Sequence, residues 1–285
     1  MSPSKYHNIG TSHGVLAVEE AGAGDIPVLL IHGNSSCRSV FGHQLKSQLA
    51  KKYRLIAFDL PGHGDSENAP DPHRSYTLPG FADAASQLLS GLGVTEVILC
   101  GWSLGGHIAI EMLARISGVR GLVLMGSPPI RKQNGINNIA EGFNARLNGG
   151  LAGKEVWSHE EVESFVHGII GSSAEPFLYE AAARADGRFR KRLFEASREG
   201  LGVDQRSSVE RADIPIAIIN GAQDPIVRLD YFDTVEFRDL WRRHCYRLPG
   251  LGHVPFWQGP EVFNPLLEQY LRVGSEGSGN KRPHP

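Results

Sequence analysis

The chain has 285 residues, 41% hydrophobic and 21% charged, a composition that can bury a sizeable core and excludes disorder of the whole. Its 29 Lys and Arg against 31 Asp and Glu leave a formal charge of -2, so no global field favours nucleic acid or an anionic membrane, and the expected partner is a small molecule. No apolar run nears the roughly 20 residues that span a bilayer; the start Met1-Ser-Pro-Ser-Lys5 lacks a secretory pattern, and Cys37, Cys100 and Cys245 are widely spaced, so a cytoplasmic, reduced protein is expected.

From Asp25 onward, short apolar runs alternate with longer segments of helical period, the pattern of a mostly parallel sheet covered on both faces. The first strand is Val28-Leu-Leu-Ile31, ending at His32-Gly33, followed by a helix through Phe41, Leu45 and Leu49. Arg54 to Phe58 reads as the next strand and stops at Asp59-Leu-Pro-Gly-His-Gly64. Leu78, Phe81, Ala82, Ala85, Leu88 and Leu89 set one apolar stripe on a helix that ends at Gly91-Leu-Gly93. The strand Glu96 to Cys100 then runs straight into Gly101-Trp-Ser-Leu-Gly105 and a helix through Ile108, Met112 and Leu113. After the strand Gly121 to Met125 the sheet rhythm stops at Pro128-Pro129 and resumes only at Ile214 to Ile219. The polar, helical segment between, with Phe143, Trp157, Phe165, Phe177 and Tyr179, reads as a cap laid over the sheet, its aromatics packing chiefly on one another. Cys245 to Leu248 forms a short last strand, and Val262, Phe263, Leu266, Leu267, Tyr270 and Leu271 define a closing helix. The expected division is a core over 1–129 and 210–273, a cap over 130–209 and a disordered tail over 274–285.

The chemistry centres on Ser103. A serine hydroxyl is a weak nucleophile at neutral pH, so it must be lifted clear of the backbone and given a base. Glycines at 101 and 105 allow a sharp strand-to-helix turn at Ser103, and the strand before and helix after it supply the context that such a turn needs. Backbone amides must meet the charge that attack creates. One candidate is the amide of Leu104, at the N-terminus of its helix; the other is the amide of Asn34, in the loop after the first parallel strand. His253, in Gly250-Leu-Gly-His-Val254 after the last strand, is the candidate base, and Asp224, in the turn after Ile214 to Ile219, the acid that orients it. His32 and His63 also sit at strand ends, but their glycine turns point to a structural duty; His107 reads as a helix-packing or surface residue.

The ordered set His32-Gly33-Asn34, Asp59-Leu-Pro-Gly-His-Gly64, Gly101-Trp-Ser-Leu-Gly-Gly106, Gly221-Ala-Gln-Asp224 and Gly252-His253 resembles the α/β-hydrolase superfamily over nearly the whole chain. The resemblance implies an α/β-hydrolase fold: a mostly parallel sheet flanked by helices, with a helical cap inserted after the sixth strand. Thr11-Ser-His-Gly14, Arg74-Ser-Tyr76, Gly101 to His107 and Ala185-Asp-Gly-Arg188 are similar, more narrowly, to the α/β-hydrolase type of N-acyl-homoserine lactonase. That similarity implies metal-free, cofactor-free opening of a lactone ring by Ser103, Asp224 and His253, with the Asn34 and Leu104 amides as the oxyanion hole and Phe165 facing the substrate. The lactonase pattern has a glutamate where Asp224 stands and a cap tyrosine near Phe165, so here the acid is shorter and the ring lacks its hydroxyl. The H-x-H-x-D-H run of metal-dependent lactonases is absent, and an aspartate nucleophile, as in haloalkane dehalogenases and epoxide hydrolases, is precluded by serine at 103. A general carboxylesterase remains the nearest alternative, and a ligand receptor of the same fold a more distant one.

Overall fold

The computed structural model describes residues 4–144 and 148–276. Ten strands occur among them: β1 Lys5–Thr11, β2 Gly14–Ala21, β3 Val28–Ile31, β4 Leu55–Phe58, β5 Val97–Trp102, β6 Val119–Met125, β7 Lys132–Gln133, β8 Ile136–Asn137, β9 Ile216–Gly221 and β10 Leu240–Leu248. Eight form one sheet in the order β1-β2-β4-β3-β5-β6-β9-β10, antiparallel at the β1, β2 and β4 pairings and parallel from β4 to β10. The helices are α1 Gly42–Leu45, α2 Leu49–Lys52, α3 Pro72–Ser75, α4 Leu78–Gly91, α5 Leu104–Leu113, α6 His159–Ile170, α7 Pro176–Arg184, α8 Gly187–Arg198, α9 Gln205–Arg211, α10 Pro255–Gln258 and α11 Pro260–Glu276.

Alternation along each strand sends side chains to two faces. Leu29, Ile31, Leu99, Leu122 and Ile218 pack with Leu88, Ile108 and Met112 of α4 and α5 in one apolar cluster. Val28, Leu30, Ile98, Val123 and Ile219 pack with Phe263, Leu267 and Tyr270 of α11 in the other. A parallel sheet buried on both sides explains why the strands read as continuous apolar runs. The strand-end loops on the carboxyl edge, at 32–36, 103, 126 and 222–224, thereby fall together.

The β1–β2 hairpin lies outside the elements expected from the sequence. β1 is largely exposed, and Glu19 and Glu20 interrupt the apolar run of β2 although both are buried, Glu20 being held by Arg54 at 2.7 Å. Instead of one helix through Phe41, Leu45 and Leu49 there is a 3-10 turn at Arg38–Phe41, then α1 and α2. Ser47 ends α1: its Oγ donates to the Gln44 carbonyl at 2.8 Å and accepts the Leu49 amide at 3.0 Å, competing with the helical ladder. β10 starts five residues before the expected strand, and its register breaks between Leu240 and Cys245, where Arg242 and Arg243 both have positive φ. α11 runs to Glu276, past the boundary expected at 273; residues 277–285 of the expected disordered tail lie outside the described residues.

Between β6 and β9 come α6 to α9 and, unanticipated, the β7–β8 hairpin, turned through Asn134 and Gly135 at positive φ. Each of the longer helices there starts on a clear signal. Ser158 and Glu161 form a capping box on α6, Pro176 opens α7, and Asp186 and Asp204 accept backbone amides at the starts of α8 and α9.

Candidate active site

Ser103 stands between β5 and α5 at φ 54°, ψ -118°, a strained conformation for a residue with a side chain. A Cβ on Gly105 would overlap the Ile31 carbonyl, and one on Gly101 the Gly105 carbonyl, so both flanking positions require glycine. The Ser103 amide bonds the Met125 carbonyl at 2.8 Å, pinning the turn to β6. Gly33 brings the loop after β3 close: a Cβ there would lie 3.2 Å from that of Ser103.

Asp224 and His253 come from the turns after β9 and β10. Those turns are laced together by the Ala222 amide to the Leu248 carbonyl and the Gln223 amide to the Leu251 carbonyl, both 2.9 Å. Asp224 Oδ1 accepts the amides of Ile226 at 2.8 Å and Val227 at 3.2 Å, while Oδ2 lies 2.7 Å from His253 Nδ1. Both side chains are 1% exposed. The carboxylate is therefore fixed by backbone, and it in turn fixes the ring with Nδ1 carrying the hydrogen and Nε2 left over. The Trp102 indole donates to the His253 carbonyl at 2.9 Å, and Gly126, at φ 60°, presses its backbone so close to the imidazole that a Cβ would lie 2.5 Å from Cε1.

One cavity is lined by Ser103, His253, Asn34, Leu104 and Phe165, so the structure brings every sequence-derived candidate except Asp224 to a single wall, and Asp224 sits directly behind His253. The Leu104 amide, first in its helix, has no preceding turn to accept its hydrogen. Asn34 is held through its side chain, Nδ2 donating to the Ala152 carbonyl at 3.1 Å and Oδ1 accepting from Ser35 at 2.9 Å. Phe165 packs on Trp157 with ring centroids 4.5 Å apart. The remaining wall, with Phe143, Ile169, Leu193 and Ile226, is mostly apolar.

His32 and His63 have structural contacts. The His32 Nδ1 lies 2.8 Å from the Gly33 carbonyl and its Nε2 accepts the Leu60 amide at 3.1 Å, while His63 packs 4.2 Å from Phe189. Burial lowers both pKa values. His107 packs as expected, bonded to Gln205 of α9 and 5.7 Å from the Phe143 ring centre, but it also lines the cavity, and burial lowers its pKa to about 4. Nor do the cap aromatics only pack on one another, since Phe143 and Phe165 line the cavity and Phe177 packs on Trp257 of α10. Arg190 was missed as well. Its guanidinium is stacked 3.7 Å from the Trp157 ring centre, donates to the Lys154 and Glu155 carbonyls, and reaches Ser35 Oγ at 3.0 Å. Burial lowers its pKa to about 10, and nothing in the charged run Arg188 to Arg192 separates it from the exposed Arg188 and Lys191. The short motifs Arg74-Ser-Tyr76 and Ala185 to Arg188 meet in space, the Tyr76 hydroxyl donating to Asp186 at 2.6 Å. Among the described residues no three His, Cys, Asp or Glu side chains group as metal ligands, and no helix is long and apolar enough to cross a membrane.

The fold has counterparts among known proteins. The structure of the N-acyl homoserine lactonase AidH complexed with N-butanoyl homoserine superposes with a TM-score of 0.92 at 40% identity, covering 98% of this chain and 100% of that one. Among curated proteins, the AB hydrolase superfamily protein YisY of Bacillus subtilis is 26% identical over 93% of this chain and 98% of its own length. A pimeloyl-[acyl-carrier protein] methyl ester esterase of Nitrosospira multiformis is 25% identical over 90% of this chain and 98% of its own. The model of the alpha/beta hydrolase family matches residues 28–266, and the chain belongs to that family as a carboxylic ester hydrolase.

Proposed function

We propose that this hydrolase opens the lactone ring of N-acyl-homoserine lactones, with Ser103 as nucleophile, His253 as general base and Asp224 as the residue that orients it. Ser103 Oγ attacks the ring carbonyl while His253 Nε2 takes its proton, and Asp224 stabilises the imidazolium. The oxyanion accepts hydrogen bonds from the Leu104 and Asn34 amides, each worth on the order of 10²–10³ in turnover. His253 then passes its proton to the ring oxygen as the C–O bond breaks, leaving an acyl-enzyme whose leaving group is still tethered as a hydroxyl. Water, deprotonated by His253, attacks the acyl carbon and releases Ser103 and N-acyl-homoserine.

The observation that carries this reading is the single, mostly apolar cavity that Ser103 and His253 share with Phe165 and Ile169 of α6, since such a wall suits an acyl chain. The similarity to a lactonase complexed with N-butanoyl homoserine supports the ring as the reacting group. Residues 130–209 then act as the cap that closes this cavity over the sheet. The unpaired thiols of Cys37, Cys100 and Cys245 suit a reducing compartment such as the cytoplasm.

The test is a head-to-head comparison, in the presence of a chelator, of N-hexanoyl-homoserine lactone and p-nitrophenyl acetate. The expected result is turnover of both, with higher kcat/KM for the lactone and none for Ser103→Ala. Cleavage of the ester with intact lactone by mass spectrometry identifies a general carboxylesterase instead; turnover of neither identifies a receptor, and loss of activity with chelator a metal mechanism.

A further inference from the structure

One turn beyond Ser103, α5 presents a second residue to the cavity. Residues four apart on a helix share a face, with Cβ atoms roughly 5–6 Å apart, and His107 lines the same wall as Ser103 and His253. Its Nδ1 lies 2.8 Å from Gln205 Oε1, and among the described residues its Nε2 has no protein partner. The Gln205 carboxamide is fixed in orientation: Oε1 also accepts the Ile130 amide at 3.2 Å, and turning it over would set N–H against N–H. Because Oε1 can only accept, Nδ1 carries the ring hydrogen and Nε2 is a lone pair. Burial keeps the ring neutral, its pKa lowered to about 4, so the lone pair persists at neutral pH. An acceptor open to the cavity in a mostly apolar wall is free to take a hydrogen bond from a ligand's donor.

The geometry points to His107 as a specificity-determining residue: its Nε2 accepts a hydrogen bond from an N–H on the carbon next to the carbonyl that Ser103 attacks, selecting α-amido lactones and esters. The inference rests on Ser103 being the nucleophile. The spans agree, because an α-nitrogen lies about 2.5 Å from its carbonyl carbon across two bonds, and a further N–H···N bond of about 3 Å gives a reach close to one helical turn. The Phe165 ring, which has no hydroxyl, leaves this recognition to the sheet side of the cavity.

The experiment compares N-butanoylglycine methyl ester with its ketone isostere, in which CH2 replaces N–H, by the kcat/KM for release of acid. Wild type should prefer the amide by about tenfold or more, the worth of one well-made hydrogen bond. His107→Phe, which keeps a ring but no acceptor, should bring the ratio near one, and His107→Gln, which keeps an acceptor oxygen, should restore part of it. Equal ratios in wild type and His107→Phe, or no preference in wild type, overturn the assignment. If His107→Phe does not fold, the wild-type ratio and the His107→Gln ratio decide in the same way. Failure of the underlying reading shows separately, as hydrolysis that survives Ser103→Ala; failure of the inference alone leaves Ser103→Ala inactive and the ratio indifferent to position 107.

Discussion

Among the described residues two Ser, His and Asp clusters stand out, and they differ in almost everything except composition. In one, His253 Nδ1 meets Asp224 at 2.7 Å and the ring lines a cavity with Ser103. In the other, His13 Nδ1 meets Ser75 at 2.8 Å and its Nε2 meets Asp83, also at 2.8 Å. Both ring nitrogens of His13 are thus occupied, and His13 and Ser75 are wholly buried. Asp83 is 47% exposed on its side chain and is shared with Arg74, whereas Asp224 is buried and pinned by two backbone amides. The second cluster ties the β1–β2 hairpin to α3 and α4. Three residue types alone therefore do not single out a site; the proposed one adds a desolvated, backbone-held carboxylate, an imidazole with one open nitrogen and a hydroxyl raised into a cavity.

The sharpest way to break this comparison is to remove each hydroxyl. Ser103→Ala should lower kcat on p-nitrophenyl acetate by roughly 10⁴–10⁶, while Ser75→Ala should leave kcat within about twofold and lower stability by about 1–3 kcal/mol, the cost of a buried His13 nitrogen losing its partner. Comparable losses of activity in both would erase the distinction. The carboxylates come next. Asp224→Asn should cost about 10⁴ in kcat by permitting the wrong tautomer of His253, and Asp83→Asn only a few-fold, read in the same assay. A smaller effect tests the packing that aims the ring. Gly126→Ala places a methyl 2.5 Å from His253 Cε1 at a φ that disfavours it, so kcat should fall by about 10² with a destabilisation of about 1–3 kcal/mol by urea titration.

The mildest effect concerns the buried imidazoles outside both clusters. His32, His63 and His107 have pKa values lowered by burial, so between the folded value and about 6.5 the unfolded chain binds more protons than the native one. Stability therefore rises with pH across that window and falls on acidification, from about 6.5 down to about 4 in the case of His107. The urea midpoint should drop from pH 7 to pH 5, and His107→Gln should drop less. An unchanged midpoint would show that these rings are not held neutral.

What the sequence disclosed follows the same division. The parallel strands were legible because burial on both faces makes them apolar throughout, and Ser103 because only glycine fits at 101 and 105 between strand and helix. The hairpin was not, since β1 is exposed and Glu19 and Glu20 sit where an apolar pair would be expected. The cavity role of His107 was not legible because its helical position says nothing of a cavity built by segments as distant in the chain as Asn34 and His253, among them Phe143 and Gln205. Arg190 was hidden in a run of arginines whose burial depends on Trp157 and the loop at Ser35.

The most direct test of the central claim uses a fluorophosphonate, which reacts only with a serine whose proton can be taken by a neighbouring base. Intact-mass spectrometry and peptide mapping should find one adduct, on Ser103, and none in His253→Ala. An adduct on Ser75 or another serine, or undiminished labelling without His253, would contradict the account.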